Sequence, residues 1–203
     1  MCAVPWKRLA IRSAGCRDSR TLAPLTIRAR QVVNAGGAWA MNIARLAGCA
    51  DVDLLYAKGT LLVNHDRMTR HVVNRLRPPG DGDILVPGGT VSILGTTSTR
   101  IQDLDHVAPT VDEIDRNIRE GSAMIPALAG ARYTPASSRV RPLLQGTGSA
   151  SDRAASRGFA LLDHHSQGLA NFCTITGGKR TTLRLLAEQA ADLVAGRLGN
   201  RQA

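Results

Sequence analysis

The fold of this chain is decided by the run Ile175-Thr176-Gly177-Gly178-Lys179-Arg180-Thr181-Thr182, which opens a helical pattern that continues to Leu198. Two adjacent glycines carry no Cβ, so a flat ligand can approach their backbone closely. The helix that follows presents unpaired N–H donors and the positive end of its dipole, and Lys179 adds a full positive charge. A strand, a Gly-Gly-Lys turn and a helix start therefore predict a cofactor site, although so short a motif is not specific.

A second run of the same kind lies earlier in the chain. Residues 31–34 predict a short strand, Ala35-Gly36-Gly37 a turn, and residues 38–47 a helix that ends at Gly48. The residues expected on its buried face are Trp39, Ile43 and Leu46. α/β folds use this order to bring backbone up to a phosphate or an adenosine. The run is not the G-x-G-x-x-G fingerprint, which the sequence lacks, and it fits a tight βα turn without a ligand equally well.

The rest of the chain alternates β-rich runs with two helical patterns. The predicted strands cover residues 54–56, 60–63, 71–74, 84–86, 91–94, 140–144, 159–162 and 173–176. Pro87-Gly88-Gly89-Thr90 predicts a hairpin connection. Thr110 and Glu113 form a capping box that begins a helix ending at Pro126, and a last helix covers residues 181–198 and is ended by Gly199-Asn200. The inward residues expected are Val111, Ile114, Ile118 and Ile125 in the first helix and Leu185, Leu186, Leu193 and Val194 in the last. The pattern predicts an α/β (α+β) fold with an antiparallel or mixed sheet.

The composition is that of an ordinary globular protein, with 43% hydrophobic and 21% charged residues. Aromatic residues make up only 3%, which argues against a stacking platform for nucleic acid. The net charge of +10 is concentrated at the start, because residues 1–30 carry seven Arg or Lys and one Asp and so account for +6. Residues 1–28 show weak periodicity, and we expect an irregular basic head outside the fold. No run approaches 18 apolar residues, so we predict no membrane span.

Neither the cysteines nor the histidines are spaced as metal ligands. The four cysteines, at positions 2, 16, 49 and 173, form no C-x-x-C pair and are expected to be free thiols. Adjacent residues in a strand point to opposite faces, so His164 and His165 cannot easily share one ligand position. We therefore predict no metal site. Hydrolase and kinase motifs are also absent from the sequence.

Three cations stand at the edges of predicted strands late in the chain: Arg141, Arg157 and Lys179. Arginine presents a planar fork that matches a phosphate, while lysine is a point charge that can steer an oxyanion. If they converge near the Gly-Gly turn, they suit a small phosphorylated substrate. Spacing alone fits solvated surface charge as well.

Taken together, these segments resemble the FAD-dependent glycerol-3-phosphate dehydrogenases, especially the catalytic A subunit of the anaerobic bacterial enzyme. The likeness covers about residues 28–199. The blocks that carry it, in order, are Val32-Val33-Asn34-Ala35-Gly36-Gly37-Ala38-Trp39, Ala57-Lys58-Gly59-Thr60-Leu61-Leu62, Val73-Asn74-Arg75, Gly82-Asp83-Ile84-Leu85-Val86-Pro87-Gly88, Leu94-Gly95-Thr96-Thr97-Ser98, Val140-Arg141-Pro142-Leu143, Ser156-Arg157-Gly158, Leu162-Asp163-His164 and Thr174-Ile175-Thr176-Gly177-Gly178-Lys179. Each block alone is weak, but so many in one order make chance agreement implausible.

The resemblance implies oxidation of sn-glycerol 3-phosphate to dihydroxyacetone phosphate, with FAD as cofactor and electrons passed to quinone. It puts Arg141 and Arg157 on the substrate phosphate or hydroxyls, and Lys179 near the substrate and the flavin. Its cofactor-lining residues are Asn34, Ala35, Gly36, Gly177, Gly178 and Thr181. It also implies membrane-anchoring and electron-transfer partner subunits, and a cytoplasmic location, peripheral on the inner face of the plasma membrane.

The chain departs from the family in lacking the initial strand and G-x-G-x-x-G turn that hold the FAD pyrophosphate. We therefore predict a partial FAD-dependent oxidoreductase (D-amino-acid-oxidase-like) fold over residues 29–200. Its substrate lobe, a mostly antiparallel sheet, would cover residues 52–145, and the FAD-facing segments would be 29–50 and 156–199. Two alternatives stay open. The chain is a truncated remnant or a subunit needing a separate nucleotide-binding chain, or it is a related flavin-dependent amino-acid oxidase.

Overall fold

The computed structural model describes residues 8–10, 13–18, 20–49, 52–134, 136–144 and 158–199. Within these residues the chain divides into two compact units. The first unit holds the described residues up to Leu55 together with 142–144 and 158–199, and the second unit holds those from Tyr56 to Arg141. The predicted lobes have similar bounds, and their assignment to substrate and cofactor remains a prediction.

The basic head differs from the irregular segment that we predicted. Its strands β1 (Arg8–Ala10), β2 (Ser13–Arg17) and β3 (Pro24–Arg28) form an antiparallel sheet in the order β1-β2-β3. Asp18 closes the second turn, where its Oδ1 accepts the N–H groups of Arg20 and Thr21. Every residue of β3 is exposed. Leu25 and Ile27 alternate with Thr26 and Arg28 in β3, but a strand of 5 residues without a buried face gives only a weak signal.

The other sheet of the first unit has the order β11-β12-β4. Its strands are β4 (Val32–Asn34), β11 (Phe159–Asp163) and β12 (Phe172–Gly177). β11 runs antiparallel to β12, whereas β4 runs parallel to it with Asn34 opposite Thr174. A 3₁₀ turn, Gly37–Trp39, leads into α1 (Ala40–Leu46), which packs on β12, and α3 (Leu183–Leu198) packs on β11. As predicted, positive φ angles at Gly48 and Gly199 follow the ends of these helices.

The sheet of the second unit has the order β10-β5-β8-β7-β6, with β9 also paired to β5. The bounds are β5 (Leu54–Asn64), β6 (Val73–Asn74), β7 (Ile84–Gly88), β8 (Val91–Gly95), β9 (Thr99–Ile101) and β10 (Ser137–Leu144). The pairs β5–β8, β7–β8, β6–β7 and β5–β9 are antiparallel, and the predicted hairpin at Gly89 and Thr90 is confirmed. The α/β fold class with mostly antiparallel strands is also confirmed.

One long strand replaces two that we predicted separately. Residues 57–59 were expected to break the chain between strands, but β5 runs through them without interruption. Lys58, which lies in the predicted gap, is buried and paired with Glu113. A buried lysine in a strand is rare unless it has such a partner, and a partner distant in sequence leaves no local signal.

The core of the second unit is formed by Leu62, Leu85, Leu94 and Leu128. Helix α2 (Val111–Met124) covers it with Ile114 and Ile118, as predicted. Val111 was expected to face inward but is 73% exposed. It is the first residue of the helix, where the chain has not yet reached the core.

The residues that the helices of the first unit bury fully are small, namely Ala38, Ala40, Ala44 and Ala190. Of the large residues that we predicted to face inward, Ile43, Leu186, Leu193 and Val194 are half-buried, whereas Trp39, Leu46 and Leu185 are exposed. Alanine lets a helix approach a sheet closely, and this close approach replaces the volume that a large side chain would fill. Hydrophobicity alone cannot reveal such a face.

The predicted capping box of α2 is confirmed. Thr110 Oγ1 accepts the N–H of Glu113, and Glu113 Oε2 accepts the N–H of Thr110. We expect Thr110→Ala to lower the free energy of unfolding by about 1 kcal/mol, because it leaves a helix N–H unsatisfied. Urea unfolding followed by circular dichroism measures this. Thr110→Ser keeps the hydroxyl and serves as the control, and equal losses in both variants would contradict a capping role.

Candidate functional site

The two Gly-Gly turns singled out in the sequence lie at the same edge of one sheet. β4 and β12 are neighbours and run parallel, so their carboxyl ends meet at that edge. Gly36 and Gly37 follow β4 and lead into α1, and Gly177 and Gly178 close β12 ahead of α3. Ligands of α/β sheets bind at the carboxyl ends of parallel strands. We call this edge, residues 34–40 and 174–182, the glycine edge.

Asn34 holds the first turn of the glycine edge in shape. Its side chain is buried; Oδ1 accepts the N–H of Gly36, and Nδ2 donates to the carbonyl of Ala40 and to Thr174 Oγ1. The amide is thus bonded within the protein at both its oxygen and its nitrogen. The part of this turn left open to a ligand is the exposed Ala35 and the backbone around it.

A buried histidine extends this network. His164 Nε2 lies 2.9 Å from Thr174 Oγ1, and His164 Nδ1 lies 2.8 Å from Gln167 Oε1. Its ring stacks on Phe172 at 5.1 Å between centroids. Both ring nitrogens are therefore committed within the protein, while His165 is exposed. Among the described residues no group of His, Cys, Asp or Glu could hold a metal ion.

In the second turn of the glycine edge, the first glycine is required by its backbone angle and by a contact within the protein. Gly177 adopts φ +74°, and a Cβ there would lie 2.5 Å from the carbonyl oxygen of Gly158. Gly178 donates its N–H to the same carbonyl at 2.8 Å. Thr182 then holds Lys179 to the 3₁₀ turn Arg180–Thr182 that precedes α3, since its Oγ1 accepts the N–H of Lys179. Lys179 and Thr181 are left exposed at the turn.

The glycine edge fits the ring-facing part of a dinucleotide site. Thr176 Oγ1 is buried without a hydrogen-bond partner among the described residues, and Thr176 shares a face of β12 with Thr174, which bonds Asn34. An orphaned buried hydroxyl beside two glycine turns is a place where a ligand atom fits. Helix geometry also leaves the N–H groups of Arg180 and Thr181 without intrahelical partners.

The predicted substrate arginine lies in the second unit, on β10. Arg141 Nη2 donates to Thr96 Oγ1 at 2.9 Å and Nη1 to the carbonyl of Thr97 at 3.4 Å. The guanidinium lies over Gly59 of β5. Arg157, the other predicted arginine, lies outside the described residues. Its role stays a prediction.

Sequence reasoning missed a buried ion pair in the second unit. Lys58 Nζ lies 2.9 Å from Glu113 Oε2, which also accepts the Thr60 hydroxyl at 3.0 Å. Lys58 donates to the carbonyl of Ala108 as well. Burial by itself raises the pKa of Glu113, but the Thr110 N–H, the Lys58 ammonium and the Thr60 hydroxyl outweigh it and hold that pKa below its usual range. The available signal was a lysine inside a β-rich run.

Both the fold and the glycine edge point to a class of flavoproteins. Residues 9–193 match the family model described as FAD dependent oxidoreductase, so the chain belongs to that family. FAD is the cofactor of the family. The match begins within the head that we expected to lie outside the fold.

Two relatives show which members of the family this chain is similar to. The A subunit of anaerobic glycerol-3-phosphate dehydrogenase from Escherichia coli is 46% identical over 177 residues, which are 86% of this chain and 32% of the relative. The corresponding protein of Haemophilus influenzae is 45% identical over 185 residues, or 90% of this chain and 32% of the relative. These relatives confirm the resemblance carried by the motif blocks. The chain spans about a third of the length of the curated relatives it matches.

A solved structure agrees in fold. Glycerol-3-phosphate dehydrogenase from Bacillus halodurans, complexed with FAD, superposes with a TM-score of 0.77 at 22% identity, covering 100% of this chain and 40% of that one. The likeness confirms the predicted oxidoreductase fold. Across the described residues, no helix has both the length and the apolar character needed to cross a membrane.

Proposed function

We propose that this chain serves in the FAD-dependent oxidation of sn-glycerol 3-phosphate to dihydroxyacetone phosphate, with quinone as the final electron acceptor. The observation that carries the proposal is the 46% identity, over 86% of the chain, to the Escherichia coli protein of the anaerobic dehydrogenase. The glycine edge supports it, because it combines close backbone approach, an orphaned hydroxyl and an exposed lysine at one sheet edge.

Each residue then has a role that its chemistry allows. Arg141 binds the substrate phosphate, for which a guanidinium offers two parallel N–H donors, and Arg157 is proposed to do the same. Lys179 neutralises charge near the reacting carbon. The backbone of Ala35, Gly36, Gly177 and Gly178, with Thr181, would line the flavin, and Asn34 would hold that lining in place. FAD, when bound, supplies the hydride acceptor.

The proposed assembly follows the relatives, whose name designates one subunit of a larger enzyme. We propose that partner subunits carry electrons from the flavin to quinone. The same partners would hold the protein on the inner face of the plasma membrane.

The test is the visible spectrum of the purified chain with FAD, recorded without oxygen before and after glycerol 3-phosphate. Bound flavin that bleaches and recovers its colour with a quinone analogue supports the proposal. A chain that retains no flavin after gel filtration contradicts it. Bleaching by an amino acid and not by glycerol 3-phosphate would instead support the amino-acid oxidase alternative.

Lys179→Met provides a sharper version of this test. We expect flavin to stay bound and its reduction by glycerol 3-phosphate to slow by about 10²–10³-fold, the usual effect of removing one electrostatic contact to a developing charge. Arg184→Met is the matched control, because Arg184 is an exposed cation on α3 whose recorded ion pair is with Glu188. Stopped-flow absorbance measures both rates, and equal slowing in the two variants would contradict a specific role for Lys179.

A further inference from the structure

We propose that Gly59 is a positioning residue that seats the Arg141 guanidinium, and so helps to select a phosphorylated substrate; this rests on the proposed function. Gly59 belongs to the Ala57–Leu62 motif block, to which the resemblance assigned no role. It lies in the middle of β5 and is buried.

The alternation of β5 leaves a gap for the arginine. The side chains of Lys58 and Thr60 both contact Glu113: Lys58 Nζ lies 2.9 Å and Thr60 Oγ1 lies 3.0 Å from Glu113 Oε2. A side chain at position 59 would point to the opposite face of the strand, because successive residues alternate. The Arg141 guanidinium occupies that face, since a Cβ on Gly59 would collide with Nη2 and lie 2.6 Å from Cζ and Nη1.

Backbone conformation does not account for this glycine. Positive φ angles occur at Gly82 and Gly89 in the same sheet region but not at Gly59, so an alanine there has an accessible backbone. The three atoms nearest to the missing Cβ all belong to the Arg141 guanidinium. The glycine is therefore required by the position of Arg141 and not by a turn.

The backbone segments around the Arg141 guanidinium are held together by hydrogen bonds that do not involve the arginine. Thr60 donates its N–H to Thr97 Oγ1 at 3.0 Å, and its carbonyl accepts the N–H of Thr97 at 3.4 Å. This pairing keeps the segment that carries the acceptors of Arg141, Thr96 Oγ1 and the Thr97 carbonyl, beside β5. A side chain at position 59 would therefore move the guanidinium rather than the strands, because the end of an arginine is the flexible partner.

The experiment uses the full chain and compares Gly59→Ala with Gly130→Ala, a glycine without positive φ whose added Cβ would meet nothing within 4 Å. Three readouts are taken: the urea midpoint, the Arg141 side-chain ¹⁵N–¹H signal assigned with Arg141→Lys, and glycerol 3-phosphate affinity by calorimetry. For Gly59→Ala we expect an unchanged midpoint, a shifted Arg141 signal and affinity reduced by about ten-fold or more. Gly130→Ala should leave all three as in the parent.

A second variant keeps the proposal testable if Gly59→Ala does not fold. Thr96→Val removes the hydroxyl that accepts Arg141 Nη2 and should also shift the Arg141 signal and weaken affinity. An unchanged Arg141 signal in both variants, with affinity within about two-fold of the parent, overturns the proposal. If the parent binds no glycerol 3-phosphate, the proposed function fails, and the Arg141 signal still decides whether Gly59 seats the guanidinium.

Discussion

Replacing Glu113 by alanine is expected to lower the free energy of unfolding by about 3–5 kcal/mol, the usual effect of removing one partner of a buried ion pair. The carboxylate accepts Lys58, the Thr60 hydroxyl and the Thr110 N–H within the second unit. Its loss leaves the Lys58 ammonium, whose side chain is 9% exposed, without its counterion. Urea unfolding measures the loss, and amide hydrogen exchange should place it in β5 and α2.

An exposed ion pair provides the comparison. Glu188→Ala breaks the pair with Arg184 on α3, where the two side chains are 46% and 83% exposed. Surface pairs of this kind contribute about 0–1 kcal/mol, so this variant should unfold almost as the parent does. Equal losses in the two variants would show that burial does not strengthen the Lys58–Glu113 pair.

The same pair makes stability depend on pH. The pKa of Glu113 is lowered in the folded chain, so the unfolded chain takes up its proton at higher pH than the folded chain does. The contribution is therefore fully present above the unfolded pKa and is lost as pH falls through the folded pKa. Between those limits Glu113→Gln should show a flatter stability profile than the parent, and parallel profiles would contradict this linkage.

Gly177→Ala is the substitution in the glycine edge with the largest expected effect. Alanine at φ +74° is strained by about 1–2 kcal/mol, and its Cβ would lie 2.5 Å from the backbone oxygen of Gly158. This oxygen belongs to the backbone next to β11 and accepts the N–H of Gly178, so it cannot move aside as a flexible side chain can. We therefore expect unfolding to become easier by about 2–5 kcal/mol, whether or not FAD is present.

Alanine substitutions at two other glycines distinguish the effect of backbone strain from that of steric collision. Gly178→Ala has a similar φ of +81°, but its Cβ would lie 3.2 Å from side-chain atoms of Phe159 and Thr182, so its loss should be smaller. Gly196→Ala lies inside α3 with open space around it and should stabilise the chain by about 0.5–1 kcal/mol. Urea unfolding of the three variants gives this order. If Gly177→Ala were as stable as the parent, the contact with Gly158 could not be what requires glycine there.

Local chemistry accounts for what the sequence predicted well. The capping box at Thr110, the hairpin at Gly89 and the helix ends at Gly48 and Gly199 each depend on neighbours within a few residues. The Gly-Gly-Lys turn belongs with them, because β12, the turn and α3 follow one another along the chain. Such features depend on adjacent residues and can be predicted without knowing the fold.

Features that depend on distant partners could not be predicted in this way. Lys58 and Glu113 are 55 positions apart, and neither residue alone indicates that the other neutralises it. Trp39 was expected on the buried face because of its spacing from Ile43 and Leu46, yet the helix approaches its sheet through alanines. In the head, strand β3 has no buried face that could mark it.

For the candidate site, the sequence by itself determined the two glycine turns and the cations, since residue type and order decide where backbone can come close to a ligand. Only the tertiary structure decided that β4 and β12 lie side by side and parallel, which brings both turns to one sheet edge. It also decided that Gly59 faces Arg141 and that Asn34 uses its amide within the protein. Strand pairing and burial depend on residues far apart in the chain, and their energies arise only once those residues meet.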